Sequence, residues 1–278
     1  MFRKIHFDIF IIQPSGYITI PFHPVTADDI NAKLRAIESE HQVHVLLACE
    51  SGSRSFGFES PESDYDVRFI FVRRTENYLA VFPPRDTIEC PVTDVWDLAG
   101  WDLKKALTLM TKGNSSLLEW LTSPVLYKNR DGFREALLAL YKACVPPEKL
   151  AVGYRAMAAN NARAYLTGIS VCVKKYLYVI RPLIAAHRIE KEHAFAPSAM
   201  AALIDWAAAD NPAMANEVRQ LVARKKAGDA LTKEPRLPAI DAYIAERLAA
   251  PLPVIPPVPF SPDAVNRFFR RWVQLTSH

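Results

Sequence analysis

The apolar run Val43-His44-Val45-Leu46-Leu47-Ala48 leads into Gly52-Ser53. After a ten-residue spacer comes Asp64-Tyr65-Asp66-Val67-Arg68-Phe69-Ile70-Phe71-Val72. The pattern reads as a buried strand, a Gly-Ser turn, a short polar loop and a second strand. Side chains alternate across a strand, so Asp64 and Asp66 project from one face and Tyr65, Val67, Phe69 and Phe71 from the other. Aspartate is disfavoured in strands, and two neighbouring carboxylates repel unless a cation lies between them. The Gly-Ser turn offers backbone N–H groups at a helix start, a seat for phosphate. Paired acids beside a phosphate cradle point to metal-assisted chemistry on a nucleoside triphosphate. The bland alternative is a hairpin whose acids are merely solvated.

Gly52-Ser53, the spacer and Asp64-x-Asp66 resemble the signature of the DNA polymerase β-like nucleotidyltransferase superfamily. The longer string Ser60-x-x-Ser63-Asp64-Tyr65-Asp66-Val67-Arg68-Phe69-Ile70 is similar to one branch, the predicted nucleotidyltransferases associated with RNA ligases in RNA repair operons. Three later stretches fit that branch: Gly100-Trp101-Asp102-Leu103-Lys104-Lys105-Ala106-Leu107, Leu118-Glu119-Trp120-Leu121-x-Ser123-Pro124, and Lys174-Lys175-Tyr176-x-Tyr178-x-x-Arg181-Pro182. The resemblance implies a polymerase β-like catalytic domain and Mg2+, with Mn2+ as an alternative, held by Asp64, Asp66 and a third acid. Glu89, Asp94, Asp97 and Asp102 are the candidates for that acid. Asp97 is the first choice and Asp94 the second, because the superfamily's third acid lies on a strand leading into such a helix. Asp102 suits a helix cap, where an acid meets the positive end of the helix.

The same resemblance implies that the backbone of Gly52 and the hydroxyl of Ser53 hold the β- and γ-phosphates, with Arg54 close enough to help. Gly52 is needed because a Cβ would block close approach. Arg68 shares the face of Asp64 and Asp66 and is as well suited to an ion pair with them. On a helix, Lys174, Tyr178 and Arg181 fall on one face. From spacing alone this stripe is a solvated basic face. The resemblance makes it, with Lys175, a grip for a triphosphate and a stacking surface for a base.

Composition bounds the rest. Half of the 278 residues are hydrophobic, enough for a sizeable core. The net charge of +4 divides unevenly: residues 1–124 carry 12 Lys/Arg against 17 Asp/Glu, and residues 125–278 carry 22 against 13. An acidic half suits metal binding, and a basic half suits phosphate or nucleic acid held opposite. Cys49, Cys90, Cys144 and Cys172 lack C-x-x-C spacing, which argues against a zinc site or disulfide scaffold and fits a reducing cytoplasm. The N-terminus reads as a strand and turn leading to Tyr17-Ile18-Thr19-Ile20 rather than a signal peptide, and no run is long enough to span a bilayer.

Thr26-Ala27-Asp28-Asp29 is expected to cap a helix burying Ile30, Leu34 and Ile37. A further strand is expected over 92–98, broken by Gly100, with a helix from Trp101. After Pro124, helices are expected over 131–143, 147–167, 170–188, 198–209, 212–227, 237–250 and 262–275, with the six prolines of 251–262 as an extended linker. His187 and His193 are expected to be exposed. The fold class is therefore α+β: a catalytic domain over 1–124, a mixed sheet with flanking helices, and an all-helical domain over 125–278.

The expected function is Mg2+-dependent transfer of a nucleoside monophosphate from a nucleoside triphosphate to an acceptor hydroxyl, releasing pyrophosphate. The branch's setting implies an RNA acceptor and an RNA ligase as partner, with a protein or small-molecule hydroxyl left open. The alternative is a catalytically inactive nucleotide- or RNA-binding adaptor of such a ligase.

Overall fold

Thr26 opens the first long helix through a reciprocal cap. Its hydroxyl accepts the Asp29 N–H, and the Asp29 carboxylate accepts the Thr26 N–H. The computed structural model describes residues 25–93, 95–229, 231–257 and 261–275. It also describes the backbone of a short antiparallel ribbon, β1 (Ile12–Gln13) and β2 (Gly16–Tyr17). The expected strand beyond Tyr17 and the candidate acid Asp94 lie outside the described residues.

The helix that Thr26 caps is α1 (Ala27–His41), and Ile30, Leu34 and Ile37 are buried as expected. Then follow β3 (Val43–Glu50), α2 (Gly52–Phe56), β4 (Tyr65–Arg73), α3 (Thr75–Leu79), β5 (Thr87–Glu89), β6 (Trp96–Asp102), α4 (Leu103–Thr111), α5 (Ser115–Thr122) and β7 (Leu126–Asn129). Strands β3 to β7 make one mixed sheet in the order β5-β6-β4-β3-β7. β4 and β6 run parallel, and the other pairs are antiparallel. The sheet draws its last strand from just past residue 124.

Alternation gives the sheet two different faces. Val67, Phe69 and Phe71 pack with Val43, Val45, Ile88 and Leu98 beneath α1. Ile70 and Val72 pack with Leu46, Leu47 and the helices that follow. Asp66 and Arg68 share the parity of Ile70, so they face the helical half.

The strand expected over 92–98 is corrected to Trp96–Asp102. Gly100 does not break it, because the strand is paired on both sides, to β4 and β5. The glycine makes room instead: a Cβ there would stand 2.1 Å from the Phe69 ring. The helix consequently starts at Leu103, with Asp102 as its N-cap accepting the Lys104 N–H at 2.8 Å.

The remaining helices are α6 (Phe133–Cys144), α7 (Pro147–Tyr165), α8 (Tyr176–Glu192), α9 (Met200–Ala207), α10 (Pro212–Lys226), α11 (Pro238–Ala249) and α12 (Pro262–Leu275). The helix expected over 170–188 is corrected. Residues Ser170–Cys172 form β8, which pairs with β9 (Lys233–Pro235), and a tight 3-10 turn over Val173–Lys175 precedes α8. The Ser-Val-Cys-Val run finds a strand partner that no local pattern announces. α8 is buried along most of its length, and α7, α9 and α11 pack on it. Buried Arg155 donates to the carbonyls of Leu248, Ala250 and Pro251 and so fixes the entry to the proline-rich stretch. α12 then returns to the sheet, Phe269 edge-on to Tyr78 and Trp272 edge-on to Phe133. His187, expected to be exposed, is buried against the Tyr243 hydroxyl at 2.9 Å. Among the described residues, no helix is long and apolar enough to cross a membrane.

Candidate functional site

β3 ends in a fully buried carboxylate, Glu50. One of its oxygens accepts the Asp66 N–H at 2.9 Å, and the other accepts the Tyr127 hydroxyl of β7. Ser51 N–H donates to the Asp66 carbonyl at 2.8 Å. Burial pushes the Glu50 carboxyl above the usual range, and these donors pull it back. Glu50 therefore holds the backbone of Asp66. Sequence reasoning passed over it. The available signal was a carboxylate ending an apolar strand directly ahead of the Gly-Ser turn.

Gly52 has φ +58°, and a Cβ there would stand 2.0 Å from Asp66 Oδ2. The glycine is thus required by its neighbouring acid. Gly52→Ala combines left-handed strain of about 1–3 kcal/mol with displacement of Asp66. A melting temperature lowered by about 5 °C is expected in a thermal melt.

Ser53 is buried, and its hydroxyl donates to Ser63 Oγ at 3.2 Å. Arg54 donates to the Ser63 carbonyl at 2.7 Å and the Asp64 carbonyl at 3.3 Å, with its guanidinium 4.0 Å over the Tyr65 ring. It braces the turn that presents Asp64. Asp66 stands opposite Asp97 in the parallel pairing of β4 and β6. Leu98 belongs to the α1 face, so Asp97 lies on the face of Asp66. Register thus brings Asp97 beside the pair, while Asp102 caps α4 and Glu89 stays on edge strand β5.

Arg68 lies between the acids. Its Nη2 is 2.8 Å from Asp97 Oδ2 and 3.6 Å from Asp66 Oδ1, and its Nη1 donates to the Asp97 carbonyl at 2.8 Å. Burial raises the Asp66 carboxyl. Arg68 opposes the rise, and Asp64 and Asp97 add to it. Hard carboxylate oxygens with mutual repulsion suit a divalent cation such as Mg2+. As the side chains stand, no three His, Cys, Asp or Glu groups among the described residues are placed to share one ion, and Asp97 is paired with Arg68.

The helical half faces these acids with cations. Lys225 of α10 is buried and donates to the Phe58 carbonyl at 2.9 Å, its ammonium 4.6 Å from the Phe58 ring centroid. Burial, then Lys174, push it down to about 8, while Asp64 and Asp66 act the other way. Lys226 donates to the Gly57 carbonyl at 3.2 Å. The end of α10 therefore closes over the loop between Ser53 and Asp64. In the sequence Lys225 is the middle of a basic run, Arg224-Lys225-Lys226, and looks like one solvated cation among three. The overlooked signal is phase: Met214, Val218, Leu221 and Lys225 share one stripe, and all are buried.

Lys174 is exposed, and Lys175 sits 4.5 Å from the Tyr165 ring centroid and 5.3 Å from that of Tyr178. The Tyr178 hydroxyl is raised by burial, then by Asp66 and Asp64, which places it on the acidic side. Arg181 is the correction. It is not part of an open stripe with Lys174 and Tyr178. It is buried, bonded to Glu119 at 2.7 Å, and stacked 3.7 Å over the Phe56 ring. It props α2 from beneath.

A profile described as the RNA repair pathway DNA polymerase beta family matches residues 26–270. The uncharacterized protein YcgL of Bacillus subtilis (strain 168) is 40% identical over 212 residues, 76% of this chain and 81% of that protein. A nucleotidyltransferase-like protein from Exiguobacterium sibiricum 255-15 is similar at 10% identity with a TM-score of 0.31, over 79% of this chain and 74% of that one.

Proposed function

Because the chain belongs to the RNA repair pathway DNA polymerase beta family, we propose that it is a nucleotidyltransferase that moves a nucleoside monophosphate from a triphosphate to a hydroxyl on RNA. The observation that carries the reading is the matched register of Asp66 and Asp97, beside Asp64, on the sheet face turned toward the helical half. Asp64, Asp66 and Asp97 would hold Mg2+, or Mn2+, as a two-metal site that neutralises phosphate charge and acidifies the acceptor hydroxyl. Lys174, Lys175 and Lys225 supply positive charge to the triphosphate, and Tyr178 offers a ring face to the base. Gly52 and Ser53 present backbone N–H groups to the β- and γ-phosphates. The acceptor oxygen forms a bond to the α-phosphorus, and the bond from that phosphorus to the pyrophosphate oxygen breaks in line. A cytoplasmic enzyme working beside an RNA ligase fits this chemistry.

A second reading has one observation in its favour. Asp97 is engaged by Arg68 at 2.8 Å, as an inactive nucleotide- or RNA-binding adaptor of a ligase would allow. Incubation with α-labelled nucleoside triphosphate, Mg2+ and RNA of defined ends separates the two. Label on RNA that disappears in Asp64→Ala supports the enzyme. Nucleotide binding without label on any acceptor supports the adaptor, and undiminished labelling by Asp64→Ala refutes the site.

A further inference from the structure

At the end of the sheet away from the acids lies a second polar feature. β3 begins where β4 ends, with Val43 paired to Arg73. Seven residue steps along β4 separate Arg73 at this end from Asp66, about 23 Å. A cleft of about 380 Å3 opens there, lined by Glu38, His44, Arg74, Lys128 and Arg130. Its cations come from β7, the turn after it and the residue before α3.

The cleft's acid is already engaged. Glu38 accepts the Val45 N–H at 2.8 Å and Lys128 Nζ at 2.7 Å. Arg130 reaches exposed Asp131 only at 3.6 Å, and Arg74 is exposed. These groups surround the imidazole of His44: Arg130, Lys128 and Arg74 act on it from one sign and Glu38 from the other. Three cations and a histidine against two carboxylates leave a net positive, solvent-open cleft. Cations spread over separate segments suit successive phosphodiesters better than one enclosed phosphate.

We propose that this cleft, formed by His44, Arg74, Lys128 and Arg130, binds the phosphodiester backbone of RNA at a distance from the site of chemistry. The choice of RNA rests on the acceptor assigned under Proposed function, while the binding itself does not require that transfer occurs.

The test uses the full chain without nucleotide or metal. Binding of a fluorescent single-stranded RNA is followed by anisotropy across a salt series for the wild type, Arg74→Gln, Arg130→Gln and the double variant. Each lost phosphate contact is expected to reduce the salt slope by about 0.7, with affinity falling several-fold in the double variant. In parallel, the His44 ring signal is titrated by NMR with and without RNA. Burial and the cations hold its pKa down, so a bound phosphate is expected to raise it. An unchanged salt slope in a double variant that melts like the wild type overturns the proposal. So does a His44 signal that responds to inorganic phosphate but not to RNA, which would make the site one for a free phosphorylated ligand. Asp64→Ala, which tests transfer, is expected to keep the wild-type salt slope and His44 response. An inactive enzyme therefore leaves this result readable.

Discussion

Asparagine in place of Asp66 is expected to abolish nucleotidyl transfer and, in chelator, to raise the melting temperature. The two effects share a cause. Burial disfavours the charged carboxylate, and Asp64 and Asp97 repel it, while Arg68 compensates only in part from 3.6 Å. An acid whose folded pKa is raised stabilises the fold while protonated. That contribution is complete below the unfolded value and is lost as pH rises through the raised folded value. Asparagine imitates the protonated form at every pH. The variant should melt higher than the wild type near pH 7, and the two curves should converge toward pH 4. Its backbone N–H still donates to Glu50, so the strand end is kept. The loss of activity should be about 1,000-fold or more, since charge stabilisation by a bound metal is worth several kcal/mol and each 1.4 kcal/mol is a factor of ten. Label transfer and melts over pH 4–8 check both halves. A variant that is fully active, or less stable than the wild type at pH 7, removes Asp66 from its assigned place.

Asp64, Asp66 and Asp97 could be read from the chain because strand alternation is a local rule, and the resemblance supplied the third acid's strand. Register between β4 and β6, which is not local, is what sets Asp97 rather than Asp102 opposite Asp66. Gly52 is expected to admit a phosphate, and the group that the structure brings close to it is Asp66. Lys225 was hidden because a lysine in a basic run looks solvated, although its helical phase matches Met214, Val218 and Leu221. Strands β7, β8 and β9 are three or four residues long and take their stability from partners far away in sequence. Arg181 departs from the expected open stripe for the opposite reason to Lys225. Its spacing from Lys174 and Tyr178 is correct for one helix face, but the chain ahead of Tyr176 turns as a 3-10 segment, and α8 is enclosed on nearly all sides. A cation on such a helix must find a buried acid.

That acid is Glu119, and truncating Arg181 to alanine is expected to be among the most damaging single changes in the protein. Both side chains are under one-tenth exposed, their oxygen and nitrogen are 2.7 Å apart, and the guanidinium covers the Phe56 ring. Removing one partner leaves a buried charge without compensation, at about 3–5 kcal/mol. For a chain of this length the melting temperature should fall by about 10 °C. Replacing both partners should behave differently. Arg181 Nη1 is buried without a hydrogen-bond partner, so the pair is incompletely satisfied as it stands. Arg181→Met with Glu119→Leu should therefore recover part of the stability, the buried Tyr154 hydroxyl losing its Glu119 partner, with a double-mutant cycle in urea measuring the coupling. The same double variant separates the two roles given to Arg181. If Arg181 grips the triphosphate, the double variant should be stable but turn over with a raised nucleotide KM. A prop beneath α2 leaves Phe56, and with it Gly52 and Ser53, supported by apolar packing, and transfer should stay within a few-fold of the wild type. A double variant that is stable yet loses nucleotide binding would return Arg181 to the cleft.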